Sequence, residues 1–311
     1  SLRDAVRAPY WLDRPEAPGR RSPVEDGAEC DLLIVGAGFT GLWLAWRALD
    51  REPGRSVLVL DAETVGHGAT GRNGGFVSAS LTHGYAHGEA LWPRDMPAIS
   101  AEGAANLAGI AADLAAAGIE CDFRHVGKTT VAVEPWQVDA LRTTLELASR
   151  YGETVEWQDR EQVQADVHSP TYLAGVRDRT GNALVDPALM AWGMAAHVER
   201  RGAVIHDDSR VERFSRTGAG VVAHVAGGRR VRARQAVVAT SAYRSPLARL
   251  GGYIMPLYDH VLMTEPLTAE QRASIGWSEG QGLTDAGNQF HYYRPTADGR
   301  ILWGGWDAVY H

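Results

Sequence analysis

The sequence predicts an α/β chain, α+β when both of its parts are counted, in which a parallel-sheet domain is interrupted by a β-rich one. Three observations carry this. An apolar run at 32–35 meets a turn with glycines at Gly36, Gly38 and Gly41; a second apolar run at 56–60 follows only one helix later; and from about residue 254 the periodic segments alternate as strands do. In order, an arm (1–29) precedes a strand (30–35), a helix (39–50) and a strand (56–60). A glycine-rich loop (66–75) leads to an alanine-rich helix at about 97–117, a strand near 128–133 and a helix over 136–151 with leucines at helical spacing. Asp186-Pro187 then opens a helix that runs to Arg201 and stops at Gly202, and the chain returns as a strand over 203–206. Short antiparallel strands are expected at 211–215, 221–225 and 229–233, a buried run at 235–240, and further strands near 254–264, 288–294 and 300–304.

The glycine turn has a chemical reading. Gly36 permits a tight turn, Gly38 lets backbone approach a pyrophosphate, and Gly41 lets the helix pack against the strand, so that the helix N-terminus faces phosphate. The strand over 56–60 ends on Asp61, whose carboxylate suits ribose hydroxyls and repels a 2'-phosphate; Ala62 supplies no compensating charge, which disfavours NADP. Strand, turn, helix, strand and acid in this order describe a Rossmann-like dinucleotide site.

Composition narrows the remaining classes. With 311 residues, 45% of them hydrophobic, the chain can bury a sizeable core and is expected to form two domains. A formal net charge of -7 gives no general attraction to nucleic acid. The one basic cluster, Arg229 to Arg234, alternates like an exposed edge strand, and Lys128 is the single lysine. Cys30 and Cys121 have neither metal nor redox spacing and fit a reducing compartment. The arm lacks an apolar signal region, and the most apolar helical stretch, 104–119, is short and interrupted by Asp113, so no membrane span and a cytoplasmic location are expected.

The segment from Val65 through Gly68, Ala69, Thr70, Gly71, Arg72, Asn73, Gly74 and Gly75 to Phe76, following the glycine turn and Asp61, resembles the FAD-dependent oxidoreductases of the D-amino acid oxidase superfamily, with its nearest look to the gamma-glutamylputrescine oxidase-like branch. Asp186-Pro187, the segment from Ala239 through Thr240 to Tyr243, Met255-Pro256-Leu257, and His291-Tyr292-Tyr293-Arg294 follow in the family's order. The resemblance implies a Rossmann-like FAD-binding domain with a parallel sheet (30–100 and 170–245) and a β-rich substrate domain (101–169 and 246–311), the former split in sequence. It also implies that similar proteins continue past His311 with another glycine-rich flavin-contacting segment and a last helix, so the C-terminal part of the FAD-binding domain is expected to be missing.

By the same resemblance FAD is the cofactor, held by Gly36, Gly38, Phe39, Thr40, Gly41, Asp61, Ala62, Gly68, Ala69, Thr70, Arg72, Asn73, Gly74, Gly75, Val211, Ala239 and Thr240, with Arg72 offsetting diphosphate charge and Val211 meeting adenine through its backbone. The implied chemistry is oxidation of the C–N bond of an amine or amino acid, with electrons passed to oxygen or a carrier, and it needs no strong general base. Alternation on the β-rich half offers Tyr258, His260, His291 and Tyr293 as substrate-side residues, against an ordinary role in the sheet. Two further readings stay open: a D-amino-acid or glycine-type dehydrogenase on the same scaffold, and a degenerate flavin-fold binding protein. His83 and His87 are helically spaced but lack a third ligand, so no metal is expected.

Overall fold

The computed structural model describes residues 8–257 and 259–305. In chain order the elements are β1 (Ala28–Val35), α1 (Phe39–Arg51), β2 (Val57–Leu60), β3 (Phe76–Ser78), α2 (Tyr85–Leu91), α3 (Met96–Ala116), β4 (Lys128–Ala132), α4 (Pro135–Arg150), β5 (Val155–Gln158) and α5 (Arg160–Asp166). There follow β6 (Ala174–Asp178), β7 (Asn182–Leu184), α6 (Pro187–Arg200), β8 (Val204–His206), β9 (Val211–Thr217), β10 (Gly220–Val225) and β11 (Arg229–Val238). The last elements are β12 (His260–Met263), α7 (Ala269–Ile275), β13 (Gly282–Asp285), β14 (His291–Pro295) and β15 (Ile301–Gly305).

The chain divides into two compact units, Ser1–Asn73 with Pro187–Leu257 and Gly74–Asp186 with Tyr258–His311. These exchange points differ from the boundaries drawn on the sequence alone. Local pairing sets them: β3 pairs antiparallel with β7, from Phe76 opposite Leu184 to Ser78 opposite Asn182, which carries residues 76–78 into the second unit.

The first unit is built on a six-stranded sheet in the order β8-β2-β1-β11-β10-β9. The pairs β8 with β2, β2 with β1, and β1 with β11 are parallel, while β11, β10 and β9 form an antiparallel meander. β1 and β2 read as nearly continuous apolar runs because both of their faces are covered. On one face Leu33, Val35, Leu58 and Leu60 pack with Val231 and Ala233 of β11 and with Val24 of the arm. α1 explains itself: Leu42, Ala45, Trp46 and Leu49 recur at helical spacing and are buried, and the Trp46 ring lies 4.0 Å from the His197 ring of α6. Burying a side chain such as Leu42 or Leu49 contributes about 1.5–3 kcal/mol each.

β11 corrects two expectations. The segments 229–233 and 235–240 are one ten-residue strand rather than an edge strand and a separate buried run, and that strand lies between β1 and β10 in the interior of the sheet. Its arginines alternate because one face is solvated; Arg230, Arg232 and Arg234 pair there with Asp26, Glu29 and Asp31. The end of the strand is also less buried than expected, with Val237 36% exposed.

The second unit holds a seven-stranded sheet in the order β12-β15-β14-β13-β4-β6-β5, antiparallel except for β13 beside β4. Its core gathers Val131, Val163, Val167, Tyr172, Trp277, Leu283 and Tyr293, with a second cluster of Ala132, Leu141, Ala174 and Val176 under α4. The strand expected over 254–264 is shorter: among the described residues it spans His260–Met263, at the sheet edge. Both cysteines are free thiols, and burial pushes each up to about 11. No described helix is long and apolar enough to cross a membrane.

Candidate cofactor-binding site

Register brings the first unit's site together. Val35 pairs with both Leu60 and Val238, so β2, β1 and β11 end level and the residues that follow them, Gly36, Asp61 and Ala239, emerge side by side at the C-terminal edge of the parallel strands. The backbone extends the ladder past the strand ends: Gly36 N donates to Leu60 O and Ala239 N to Val35 O, both at 2.8 Å. Gly36 has φ +112° and a Cβ there would stand 2.5 Å from the Ala239 carbonyl oxygen, so only glycine satisfies both constraints. A methyl at Gly41 would overlap the Gly36 carbonyl oxygen, which is why α1 can pack so closely behind the turn.

A cavity of about 920 Å³ opens at this edge. Gly36, Gly38, Phe39, Thr40, Asp61, Ala62, Gly68, Ala69, Thr70, Asn73, Val211, Ala239 and Thr240 line it, thirteen of the residues the sequence marked for the cofactor. Glu63, His67, Arg210, Glu212, Ser241, Tyr243 and Arg244 line it too and were not marked. Arg210 and Glu212 flank Val211, so their signal was adjacency. Tyr243 closes the quoted Ala-Thr-Ser-Ala-Tyr run, but its approach to Gly68 depends on a contact across 175 positions: a Cβ at Gly68 would stand 2.9 Å from the phenol ring. Ser241 adopts φ +51°, an uncommon conformation for a residue other than glycine, where the chain turns off β11.

Hydrogen bonds fix the lining. One oxygen of Asp61 accepts from Ala37 N at 2.7 Å and the other from Glu63 N at 2.9 Å, so this carboxylate braces the glycine turn, and each oxygen keeps a further lone pair for a ligand hydroxyl. Thr70 Oγ1 accepts from Phe39 N, the first residue of α1, at 3.1 Å. Asn73 Nδ2 donates to the carbonyls of Ala69 at 3.1 Å and Thr70 at 2.7 Å, closing the loop on itself. Gly38 at the α1 N-cap has no side chain of its own to cap the helix and the first turn carries no acid, so apart from Thr70 and Asp61 the positive end of the helix dipole is left to a ligand at the cavity edge.

Four marked residues stand elsewhere. Gly41 serves helix packing, as above. Arg72 is exposed and turned back on the loop, donating from Nε to His67 O at 2.8 Å; the arginines among the cavity-lining residues are Arg210 and Arg244. Gly74 and Gly75 belong to the second unit, where side chains explain their size. A Cβ at Gly74 would meet the Tyr292 ring at 2.6 Å, and one at Gly75 would meet Arg294 Nη1 at 2.6 Å. Arg294 is fully buried and donates to the carbonyls of Gly75 at 3.3 Å and Val185 at 2.7 Å.

Of the residues marked for substrate, Tyr258 lies outside the described residues. His260 is exposed on the edge strand β12. His291 is half-buried, with Nδ1 2.8 Å from Asp285 Oδ2 and its ring against Trp303. Tyr293 is a core residue: its hydroxyl bonds that of Tyr172 at 2.9 Å, its ring stacks on Trp303 at 4.1 Å, and burial drives its phenol far above the ordinary range. His87 meets the Thr82 carbonyl at 2.7 Å, while His83 faces the Phe290 ring.

The donor set fits a dinucleotide: glycine backbone at a helix N-terminus, a braced acid at the end of the second strand, hydroxyls at Thr40 and Thr70, two arginines, and a cavity in the upper part of the ~300–1,000 Å³ range of ligand and cofactor pockets. Residues 31–311 match the DAO family, FAD dependent oxidoreductase. The chain belongs to this family, whose cofactor is FAD.

Gamma-glutamylputrescine oxidoreductase of Escherichia coli (strain K12) is 29% identical over 297 residues, which cover 91% of this chain and 66% of the relative. The probable oxidoreductase OrdL of Rhizobium meliloti (strain 1021) is 27% identical, with 96% of this chain and 69% of the relative covered. The chain thus spans about two thirds of the length of the curated relatives it matches. Among solved structures, glycine oxidase from Geobacillus kaustophilus superposes with a TM-score of 0.71 at 19% identity, covering 89% of this chain and 71% of that one. L-amino acid deaminase from Proteus vulgaris gives 0.67 at 16%, covering 92% and 64%. At these identities the two structures establish the fold.

Proposed function

We propose that this chain acts as an FAD-dependent oxidoreductase on the C–N bond of an amine or amino acid, and that its substrate is a gamma-glutamylputrescine-like amine. The observation that carries the reading is the cavity at the level ends of β2, β1 and β11, whose lining combines the glycine turn with a braced acid. The amine class rests on the similarity to gamma-glutamylputrescine oxidoreductase. When bound, the flavin supplies the two-electron oxidation of the carbon next to a neutral amine, giving an imine that water hydrolyses and electrons that pass to oxygen or a carrier.

The protein's part is binding and orientation. Gly36 and Gly38 present backbone at the N-terminus of α1, Thr70 offers a hydroxyl beside that terminus, and Asp61 suits ribose hydroxyls while excluding a 2'-phosphate. Val211 begins β9 at the cavity wall and offers its backbone to adenine; Arg210 and Arg244, in place of the expected Arg72, supply positive charge toward a diphosphate. His260 and His291 remain the proposed substrate-side groups. A cytoplasmic location is part of the reading.

Anaerobic addition of gamma-glutamylputrescine, putrescine, glycine and D-amino acids to the FAD-loaded protein tests it. Bleaching of the flavin absorbance by the amines supports the proposal, with peroxide on readmission of air marking an oxidase and dye reduction alone a dehydrogenase. Loaded protein that no amine or amino acid bleaches contradicts it.

A further inference from the structure

The arm ahead of β1 makes more contacts than a leader of polar and proline residues requires. Trp11 is buried, and its indole Nε1 donates to the Asn73 carbonyl at 2.8 Å. The neighbouring Leu12 lies against Gly71, where a Cβ would stand 2.7 Å from the leucine's Cδ2. Asn73 in turn holds the carbonyls of Ala69 and Thr70, and Thr70 holds Phe39 N at the start of α1. A continuous set of bonds therefore runs from the arm through the 69–73 loop to the glycine turn.

The far end of the arm is fastened as firmly. Arg21 makes a two-pronged pair with Glu199 of α6, at 2.6 and 2.9 Å, and its backbone N–H donates to Asp207 at 2.8 Å. Val24 is buried in the sheet's core, with its N–H on Ser209 Oγ at 2.9 Å. Asp207 and Ser209 sit directly before Arg210, Val211 and Glu212, which line the cavity. The arm is thus anchored to both segments that frame the cofactor cavity, the loop ending at Asn73 and the turn leading into β9.

We propose that this arm positions the cofactor loop: Trp11 and Leu12 hold residues 69–73 in the conformation that receives the FAD diphosphate, so that part of the cofactor's affinity is set by residues that do not line its site. The inference rests on the FAD reading above. Trp11 and Leu12 are positioning residues, and the order they impose exists before the cofactor arrives, which lowers the ordering cost of binding.

Trp11→Phe keeps the ring and removes the N–H donor; Leu12→Ala, which leaves the indole in place, serves should the first variant fail to fold. In the flavin-free protein, hydrogen exchange is measured at Gly71 and Arg72, whose amides bond the carbonyls of Gly68 and Ala69. FAD titration then follows on the same samples. Faster exchange at these two amides together with about fivefold weaker FAD binding, at an unfolding midpoint close to wild type, is the expected result, the size being that of one lost neutral hydrogen bond. Unchanged exchange, or FAD affinity equal to wild type, overturns the proposal. A wild-type protein that takes up no FAD contradicts the cofactor reading instead, and the exchange measurement still decides whether the arm orders the loop.

Discussion

Asp61 shows how one side chain serves structure and binding together. Its carboxylate is held by two backbone N–H groups, from Ala37 in the glycine turn and Glu63 beyond β2, and bonds to charged groups of this kind contribute about 1.5–3 kcal/mol each. Asp61→Ala removes the acceptor of both. The expected outcome is a loss of roughly 2 kcal/mol in unfolding free energy and at least about tenfold in FAD affinity, read by denaturant titration and by flavin fluorescence. Full affinity in the variant would show that the acid braces the turn without serving the ligand.

In the second unit, Arg177 is 3% exposed and reaches Glu279 Oε2 at 2.6 Å. The hydrogen bond and charge of Arg177 hold the Glu279 carboxyl below its ordinary range. A carboxyl whose folded value is depressed contributes stability that is present above its unfolded value and lost as pH falls through the folded one. Between pH 7 and acid below the ordinary carboxylate range, wild type should therefore lose more of its melting temperature than Glu279→Gln does. Equal losses in the two would remove the pair from the account.

At the scale of elements, β1, α1 and β2 were legible to within two residues because the pattern that defines them is local: apolar runs covered on both faces, a glycine turn and a helix with one apolar stripe. β11 was misread for a physical reason. An interior strand with one solvated face alternates just as an edge strand does, and the parallel pairing of Ala28 with Val231 that separates the two cases joins residues about two hundred positions apart. β14 makes the same point, since alternation placed His291 and Tyr293 on one face of the strand, opposite Gly305 and Trp303 of β15, but could not say that Tyr172 would bury that face.

The arginines of β11 yield a prediction at this scale. Their partners Asp26, Glu29 and Asp31 are surface acids and exposed ion pairs contribute about 0–1 kcal/mol. Replacing Arg230, Arg232 and Arg234 together by serine should shift the unfolding free energy by less than about 2 kcal/mol and leave FAD affinity unchanged. A large loss of affinity would mean that this ladder serves the cofactor after all.

On the scale of the whole molecule, most of the residues that line the cavity were readable in the sequence, and the surroundings of His291 and Tyr293 were not. Thirteen of the seventeen marked cofactor residues line the cavity: eight follow the level ends of β1, β2 and β11, which the β-α-β pattern dictates, while Gly68, Ala69, Thr70, Asn73 and Val211 came from the family resemblance. Arg72, Gly74 and Gly75 were assigned by the family resemblance of a glycine-rich loop, and a motif match does not distinguish a glycine that meets a ligand from one that makes room for Tyr292 or Arg294. Arg210 and Arg244 escaped notice for the converse reason: a lone arginine carries no local sign of the cavity it faces.

The central claim is that the cavity of the first unit is the FAD site, and the most direct measurement is FAD binding by the wild-type chain beside Gly38→Leu, whose Cβ would stand 2.9 Å from Thr70 Oγ1 on the cavity wall and displace it. The account predicts about one equivalent of FAD retained by the wild type through gel filtration, and affinity reduced by at least about tenfold in a variant that still unfolds cooperatively. Equal binding by the two proteins would place the cofactor elsewhere and contradict the account.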